Sequence, residues 1–339
     1  IVLTISILPF IFFSNIKGKN KLLLILYIPI VILFFCGFLR YYNKSFLKNT
    51  DRLVTIVQPN IKQENKWIKK NREQHLSTLL ELSIKYRDSF NDKNRIIIWP
   101  ETSFEGSIPS ETKLLSNISK KILRNKNTTL ILGLLRTDEN KVFNSLVFLN
   151  SKGNITHNYD KIKLVPFGEY IPFRQYLGVL TDMLTPKDFT SGKFKSNPTI
   201  QGIGDIITLI CYEILFTNEI VRRISDNTNL LINITNDAWF GKTIGPYQHL
   251  ALAQIKAVEF GLPLVRVANT GISAYISPYG EIIGRISLDN KGVKTFNLTP
   301  ALDNTLYKVH GEYIFIALIL ILASINTIYN FKEEPLNEK

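Results

Sequence analysis

Three uncharged apolar runs stand out along an otherwise mixed chain, and they cover residues 1–14, 22–39 and 313–331. The second run has 18 uncharged positions, just enough for a helix rising ~1.5 Å per residue to cross a hydrocarbon layer of ~30 Å. Arg40 and Tyr41 follow that run, as is common where a helix leaves a bilayer. We therefore expect membrane helices in the second and third runs. The alternative is a buried helix of a soluble core, which normally keeps a polar face.

The runs divide the chain into parts with different expected roles. We predict membrane segments, the last part of an N-terminal transmembrane region, in 1–44, a large polar domain in 45–308, a C-terminal transmembrane helix in 309–331 and a short tail in 332–339. Residues 1–14 lack the preceding basic residues of a signal peptide, so we expect a fragment that starts inside a transmembrane region.

Basic residues beside the second run give opposing signals about orientation. Lys17, Lys19 and Lys21 precede it and favour a cytoplasmic loop, whereas Arg40 and the basic residues after it favour the reverse. Charges next to a long translocated domain carry less weight. We therefore expect residues 15–21 on the cytoplasmic side.

The polar domain alternates strand-like and helix-like patterns. Short apolar runs predict strands at 53–57, 95–99, 129–135, 144–150, 205–210, 229–235, 262–268, 272–276 and 281–286. Helical spacing predicts helices at 64–90 and 247–260, and Gly261 and Pro263 end the second one. Such alternation predicts an α/β domain whose functional site lies at the strand ends.

Residues with chemical potential follow two of these strands and occupy one loop. Glu101 comes shortly after one predicted strand, Cys211 directly follows another, and the loop 159–170 carries two lysines and a glutamate around the apolar letters LVPFG. Each has an ordinary reading when taken singly: a capping or ion-paired glutamate, a solvated surface lysine, and a buried inert cysteine. Together they supply a base, a cation and a nucleophile.

Cys211 is the candidate nucleophile. At a strand-to-helix junction its thiol would lie near backbone N–H groups and a helix dipole, which can lower a thiol pKa. Cys36 lies inside an apolar run, so we expect no disulfide. None of the four histidines stands in a local Cys–His protease signature or at zinc-site spacing. We expect no metal and no cofactor.

Composition narrows the range of partners. A hydrophobic content of 45% with 11% aromatics excludes a disordered chain. The net charge of +13 points to nucleic acid or to anionic lipid. Because the basic residues are scattered rather than in dense blocks, we expect no nucleic-acid partner.

The chain resembles the carbon–nitrogen hydrolase (nitrilase) superfamily in its motifs WPETS, YDKIKLVPFGEY and CYE, in the order Glu, Lys, Cys. It is more similar still to the apolipoprotein N-acyltransferase family, bacterial membrane enzymes of lipoprotein maturation, in QPNIKQENKW, TNDAWFG and the segment from GPYQHLALAQ to VANTGIS. The resemblance covers about residues 20–330. It implies a nitrilase-like α-β-β-α sandwich flanked by transmembrane helices, in an N-terminally truncated version of a family with more membrane helices.

The resemblance also implies a catalytic triad, with Glu101 as general base, Lys161 as cation and Cys211 as nucleophile. Lys161 rather than Lys163 matches the family pattern, because it stands eight residues before Glu169. The implied reaction is covalent ping-pong transfer. The thiolate takes an acyl chain from a phospholipid as a thioester, and the N-terminal amine of a diacylglyceryl-cysteine apolipoprotein accepts it.

Three further positions match supporting residues of the family, namely Glu169, Tyr212 and Glu213. The resemblance implies that they orient Lys161 and Cys211. The backbone N–H of Tyr212 is expected to help Lys161 hold the tetrahedral oxyanion.

Other residues are expected to face the lipid. Trp67, Trp239 and Tyr247 either line the lipid entry as substrate-binding residues or simply pack, and the amphiphilic segment 171–184 either dips into the bilayer or packs as a surface helix. The resemblance implies a phospholipid donor, an apolipoprotein acceptor and a lipid bilayer as partners. It also implies a multi-pass protein of the bacterial inner membrane with its catalytic domain on the periplasmic side.

Two other functions fit parts of the sequence. The same triad with water as acceptor would make a nitrilase-type amidase, a reading that the flanking apolar runs disfavour. A membrane scaffold with a degenerate nitrilase-like domain is disfavoured by the intact set of Glu101, Lys161 and Cys211.

Overall fold

The computed structural model describes residues 19–44, 50–85, 94–103, 107–108, 110–123, 127–177 and 188–333. Its helices are α1 (Lys19–Tyr42), α2 (Gln63–Lys66), α3 (Arg72–Ile84), α4 (Thr112–Ile122), α5 (Arg174–Leu177), α6 (Thr217–Val221), α7 (Gly245–Phe260), α8 (Leu306–His310) and α9 (Tyr313–Glu333). Its strands are β1 (Arg52–Gln58), β2 (Asn94–Ile98), β3 (Ser107–Ile108), β4 (Thr128–Asp138), β5 (Lys141–Leu149), β6 (Ile155–Asp160), β7 (Thr199–Ile200), β8 (Gly204–Ile210), β9 (Thr228–Thr235), β10 (Leu264–Ala268), β11 (Ser273–Ile276), β12 (Ile282–Ile286) and β13 (Gly292–Asn297).

The chain divides into two units, one of Ile1–Phe46 with Val309–Lys339 and one of Leu47–Lys308. In the first unit, α1 and α9 cover the second and third apolar runs. Among the residues described, no helix combines the length and the apolarity that a membrane crossing requires. The transmembrane helices on both sides of the large domain therefore stay a prediction, and the apolar residues 1–14 lie outside the described part.

Two mixed sheets form the centre of the second unit. Within the described ranges, one sheet has the order β13-β1-β2-β4-β5-β6, with β3 beside β4, and the other has the order β12-β11-β10-β9-β8-β7. β1, β2 and β4 run parallel in the first sheet, and β8, β9 and β10 run parallel in the second. Parallel strands end at the same edge of a sheet, so the segments that follow them are brought together there.

The central parallel strands are buried on both faces, which explains why they read as continuous apolar runs. In β2, Ile96 and Ile98 belong to the cluster between the sheets, whereas Ile97 and the following Trp99 belong to the cluster shared with α3 and α4. A third cluster joins the outer face of the second sheet to α7. The layers are helix, sheet, sheet and helix, so the predicted α-β-β-α sandwich is confirmed.

One predicted helix is wrong in its extent. The pattern at 64–90 predicts a single helix, but the structure has α2, a 3-10 turn at Lys69–Asn71 and then α3, and residues 86–90 lie outside the described part. Trp67 and Ile68 supplied part of the apolar pattern, yet each is 45% exposed and neither joins the core. The break lets the chain turn Lys66 inwards, and this side chain is only 3% exposed.

Candidate active site

Glu101 lies in a tight turn after β2. The turn packs so closely on β4 that a Cβ at Gly133 would lie 2.7 Å from Glu101 Cα and 2.7 Å from Pro100 O. The N–H and the hydroxyl of Ser103 each donate to Gly133 O at 2.8 Å. Thr102 has a φ of 41°, which is rare for a β-branched residue. Packing and hydrogen bonds therefore impose this backbone, and it holds the Glu101 carboxylate in place.

Lys161 follows β6 and is buried, with 1% of its surface exposed. Its Nζ lies 2.9 Å from each carboxylate oxygen of Glu169 and 3.8 Å from Glu101 Oε1. Asn144 Nδ2 donates to Glu101 Oε1 at 2.7 Å and to Glu169 Oε1 at 3.0 Å. The ammonium and the amide together hold two carboxylates that would otherwise repel each other.

Cys211 directly follows β8, with a φ of 57°, and begins a 3-10 turn that spans Cys211–Leu215. A non-glycine residue in this left-handed region is strained, and such strain often marks functional positions. The negative charge of Glu101 and the positive charge of Lys161 both act on the thiol. The structure thus brings together the three residues predicted as a triad, from positions 50 or more residues apart in sequence.

The thiol of Cys211 has a high pKa. Burial is the largest influence and, with the charge of Glu101, raises the pKa of Cys211 to about 12, although Lys161 and the Thr235 hydroxyl lower it. The expectation of a lowered pKa is therefore wrong. The segment after the strand is a 3-10 turn of five residues, whose dipole is too short to offset desolvation. At neutral pH the resting thiol is protonated and needs a base.

Lys161 keeps its charge. Burial opposes that charge, but Glu101, Cys211 and Glu169 outweigh burial and raise the pKa of Lys161 above its ordinary value. A permanent ammonium next to Cys211 can stabilise an oxyanion without a proton transfer of its own.

Glu213 connects the Lys161 loop to the Cys211 turn. Its carboxylate accepts hydrogen bonds from Ile162 N at 2.7 Å and Lys163 N at 3.0 Å. It also accepts hydrogen bonds from Ile210 N at 2.8 Å and from the Tyr159 hydroxyl at 3.0 Å. This fully buried carboxylate therefore fixes both chain segments that carry candidate catalytic groups.

Tyr212 provides a second link between the same segments. Its hydroxyl donates to Leu164 O at 2.6 Å, and its ring lies 5.4 Å from Lys161 Nζ. A cavity of about 560 Å³ opens beside this ring, and its lining includes apolar side chains of Leu164, Pro166, Phe189 and Phe216. The structure thus offers a partly apolar cavity, also lined by Lys163 and Asp188, next to the turn that carries Cys211.

A buried charge network supports the Cys211 turn from the second sheet. Asn233 Nδ2 donates to Cys211 O at 3.0 Å, and Arg266 Nη1 donates to Asn233 Oδ1 at 2.5 Å. Arg266 Nη2 donates to Asp237 Oδ2 at 2.7 Å, and His249 Nδ1 lies 3.0 Å from Asp237 Oδ1. Sequence reasoning did not select these residues. An arginine inside the apolar run LPLVRVA was the available signal, because a buried guanidinium needs a partner.

Asn144 and Lys66 were also missed. Asn144 lies within a predicted strand, and Lys66 lies within a predicted helix, so neither position looked unusual. Lys66 Nζ donates to Glu101 O at 3.2 Å and to Thr102 Oγ1 at 2.6 Å.

The residues predicted to bind substrate are exposed aromatic rings. Trp67 is 45% exposed, Tyr247 50% and Trp239 73%, so none of the three is buried in the core, and their role in substrate binding stays a prediction. Of the segment 171–184, the structure describes residues as far as 177, and the rest lies outside the described chain. Within the described ranges, no group of three or more potential ligand side chains could hold a metal ion.

Comparison with known proteins places the large domain in a family. Residues 53–304 match the family model described as carbon-nitrogen hydrolase. The chain is 35% identical over 305 residues to an apolipoprotein N-acyltransferase of Allorhizobium ampelinum, covering 86% of this chain and 57% of that protein. It is 34% identical over 292 residues to an apolipoprotein N-acyltransferase of Brucella suis biovar 1, covering 83% and 54% respectively. The chain therefore spans little more than half the length of these relatives.

Solved structures show the same fold. Saccharomyces cerevisiae Nit3, a member of branch 10 of the nitrilase superfamily, matches with a TM-score of 0.58 and 15% identity, over 79% of this chain and 97% of that chain. An amidase from Nesterenkonia AN1 matches with a TM-score of 0.53 and 16% identity, over 75% and 94%. Because the family model spans residues 53–304 and the sandwich is the one found in these structures, the chain belongs to the carbon–nitrogen hydrolase family.

Proposed function

We propose that this protein transfers a fatty acyl chain from a phospholipid to the N-terminal amine of an apolipoprotein whose first cysteine carries a diacylglyceryl group. The observation that supports this function best is a partly buried cysteine under the charges of Glu101 and Lys161, in a chain 35% identical over 305 residues to an apolipoprotein N-acyltransferase. Glu101, Lys161 and Cys211 are the proposed catalytic residues.

In the first half-reaction, Glu101 takes the proton of the Cys211 thiol, and the sulfur attacks the ester carbonyl of the phospholipid. The tetrahedral oxyanion is held by the Lys161 ammonium and the Tyr212 backbone N–H. When the intermediate collapses, the C–O bond breaks and Glu101 returns its proton to the departing lysophospholipid oxygen. An acyl thioester remains on Cys211.

In the second half-reaction, the α-amine of the apolipoprotein attacks the thioester carbonyl. Glu101 accepts the proton that the amine loses, the C–S bond breaks, and the thiolate of Cys211 regains a proton from Glu101. The enzyme returns to its starting state and the product carries an amide, as in other covalent two-step transfers.

Supporting residues hold the three catalytic groups in position relative to one another. Glu169 holds the Lys161 ammonium through contacts at 2.9 Å. Glu213 and Tyr212 tie the Lys161 loop to the Cys211 turn. The partly apolar cavity beside Tyr212 is our candidate for the acyl chain, because a lipid chain is stabilised by apolar walls.

The proposal extends to location. A phospholipid donor and a lipidated acceptor both reside in a membrane, and exposed Trp67, Trp239 and Tyr247 suit the interface of a bilayer. We place the protein in the bacterial inner membrane, anchored by the apolar runs on both sides of the large domain, with that domain in the periplasm.

The decisive experiment is intact mass spectrometry of the purified protein in phospholipid. We expect a fatty acyl adduct on Cys211, absent from the Cys211→Ala variant and present in the Cys36→Ala variant. Adding a synthetic peptide with an N-terminal diacylglyceryl cysteine should remove the adduct and yield an N-acylated peptide.

Two results would favour the alternatives. Turnover of small amides with water as acceptor, without any phospholipid-derived adduct, would indicate an amidase. Failure of Cys211 to react with either lipid or thiol reagents would indicate a non-enzymatic domain.

A further inference from the structure

Lys66 is a second buried lysine beside the candidate active site. It ends α2, in the segment that joins β1 to α3, and only 3% of its surface is exposed. Its Nζ donates to the backbone oxygen of Glu101 at 3.2 Å and to Thr102 Oγ1 at 2.6 Å. Both acceptors belong to the turn that carries the proposed general base.

That turn needs an external constraint. Thr102 adopts a φ of 41°, a strained conformation for a β-branched residue that persists only when its surroundings impose it. Gly133 and Ser103 constrain the turn from the side of β4. Lys66 belongs to an earlier part of the chain and constrains the turn through its ammonium, which donates hydrogen bonds to two consecutive residues.

The segment that delivers Lys66 is itself anchored. Asn236 Nδ2 donates to Gln63 Oε1 at 2.9 Å, and Asn269 Nδ2 donates to Ile61 O at 2.8 Å. The anchors come from the loops after β9 and β10, so elements of the second sheet hold the position of Lys66. The position of the Lys66 ammonium is therefore fixed by contacts that anchor its backbone segment.

The ammonium also contributes charge. Burial lowers the pKa of Lys66 to about 8, while the charges of Glu101 and Cys211 oppose that decrease. Interaction between charges is mutual, so protonated Lys66 favours the Cys211 thiolate. At pH 7 the side chain is charged, and above pH 8 it progressively loses its charge.

We propose that Lys66 is a positioning residue for the proposed general base, fixing the Glu101 turn and supplying positive charge to the Glu101–Cys211 pair. This inference rests on the proposed function in one respect, because the proposed function assigns Glu101 as the general base. Its test uses thiol chemistry alone.

The test is the rate at which iodoacetamide alkylates Cys211, followed by peptide mass spectrometry from pH 6 to 9.5 in the full chain carrying Cys36→Ala. For Lys66→Met we expect a ~10-fold lower alkylation rate at pH 7. Loss of the ammonium should raise the thiol pKa of Cys211 by about one unit, and one unit of thiol pKa changes the thiolate population ~10-fold. The difference in alkylation rate between wild type and Lys66→Met should become smaller above pH 8, where wild-type Lys66 loses its own charge. Lys66→Arg keeps a charge throughout, so its rate should stay near wild type at pH 7 and exceed that of Lys66→Met at pH 9.

Lys256 offers a matched control. It is also buried and donates to a threonine hydroxyl, Thr217 Oγ1, at 2.5 Å, with Glu259 as its ion-pair partner at 2.6 Å. Lys256→Met should lower the melting temperature but leave the pH profile of Cys211 alkylation unchanged. If Lys66→Met does not fold, Lys66→Gln replaces it, since an amide can donate to Thr102 but carries no charge.

Two outcomes would overturn the proposal. One is an alkylation profile of the uncharged Lys66 variant that overlays the wild-type profile at every pH. The other is an equal loss in the uncharged variant and in Lys66→Arg, which would assign Lys66 to packing. Absence of an acyl adduct in wild-type protein would refute the proposed function but not this inference, because alkylation needs neither phospholipid nor lipoprotein.

Discussion

The chemistry of the site depends on how burial and charge compete at single residues. Burial raises the thiol pKa of Cys211 to about 12, so thiolate is scarce at neutral pH. Lys161 is more deeply buried, with 1% of its surface exposed, but its carboxylate neighbours raise its pKa. The Cys211 thiol is therefore kept neutral and the Lys161 ammonium is kept charged. A neutral thiol suits a proposed nucleophile that a base must deprotonate, and a charged ammonium suits the stabilisation of an oxyanion.

Glu101 and Lys161 should differ in how their loss depends on pH. Glu101→Gln removes the base, so acyl-adduct formation at pH 7 should fall by at least ~10². It also removes a negative charge that raises the Cys211 pKa, so thiolate forms at lower pH than in wild type and alkali should restore part of the rate. The measurement is the rate of acyl-adduct formation on Cys211 from pH 6 to 10.

Lys161→Met should behave in the opposite way. It removes a charge that lowers the Cys211 pKa, so thiolate forms only at higher pH, and it removes an oxyanion partner worth ~10²–10³ in rate. Its defect should therefore persist in alkali in the same assay. Rescue of Lys161→Met, without rescue of Glu101→Gln, would mean that the two roles are reversed.

Cys211 and Cys36 should separate cleanly. Cys211→Ala should abolish acyl transfer and leave the melting temperature within a few degrees, because free cysteine packs as a small apolar side chain and the change removes only its sulfur atom. Cys36→Ala should be nearly silent, since Cys36 lies in α1 and no catalytic group is assigned there. A comparable loss in both variants would refute Cys211 as the sole reactive thiol.

At the scale of elements, the site is made by turns pressed against strands. The Glu101 turn meets β4 at Gly133, and the Cys211 turn meets the Lys161 loop through Glu213. Regular strands end where these turns begin, so a rigid sheet supports a strained backbone.

Gly133→Ala should therefore impair activity more than stability. The new Cβ would lie 2.7 Å from Glu101 Cα, a clash with backbone that has to move the base, and misplacement of a catalytic group by ~1 Å can cost ~10² in rate. We expect a loss of this order in acyl-adduct formation. Gly292→Ala is the matched control in β13, because its Cβ would meet Ile286 at 3.5 Å, an ordinary contact. Equal activity of the two variants would contradict this account.

The whole molecule joins two units with different surroundings in our proposal. The unit Leu47–Lys308 contains the sandwich and every proposed catalytic residue. The other unit contains the apolar runs that we expect to lie in the membrane. The net charge of +13 over the chain fits attraction to anionic lipid.

This arrangement predicts topology. Reporter fusions near residue 18 and near residue 300 should report opposite compartments, cytoplasmic for the first and periplasmic for the second. The readout is paired activity of a periplasmic and a cytoplasmic reporter at each site. The same compartment for both fusions would reject the proposed topology.

The apolar pattern of the sequence predicted the central strands, and the family resemblance in its motifs implied the sandwich and the candidate triad. Strands buried on two faces have continuous apolar runs, which a reader can see, and Glu101 and Cys211 stand where such runs end. The family motifs then singled out Lys161 over Lys163. Apolar runs, strand ends and motifs are local features, so they can be recognised from the sequence without the structure.

The tertiary structure decided what depends on distant neighbours. Asn144, Lys66 and Arg266 sit in unremarkable local patterns, and only folding brings them to Glu101 or beneath Cys211. The high pKa of Cys211 likewise contradicts the local expectation of a lowered one, because desolvation depends on every layer packed around the thiol. Local pattern fixes which residues end a strand, whereas burial and charge at a site are sums over contacts far apart in sequence, and those sums exist only in the folded chain.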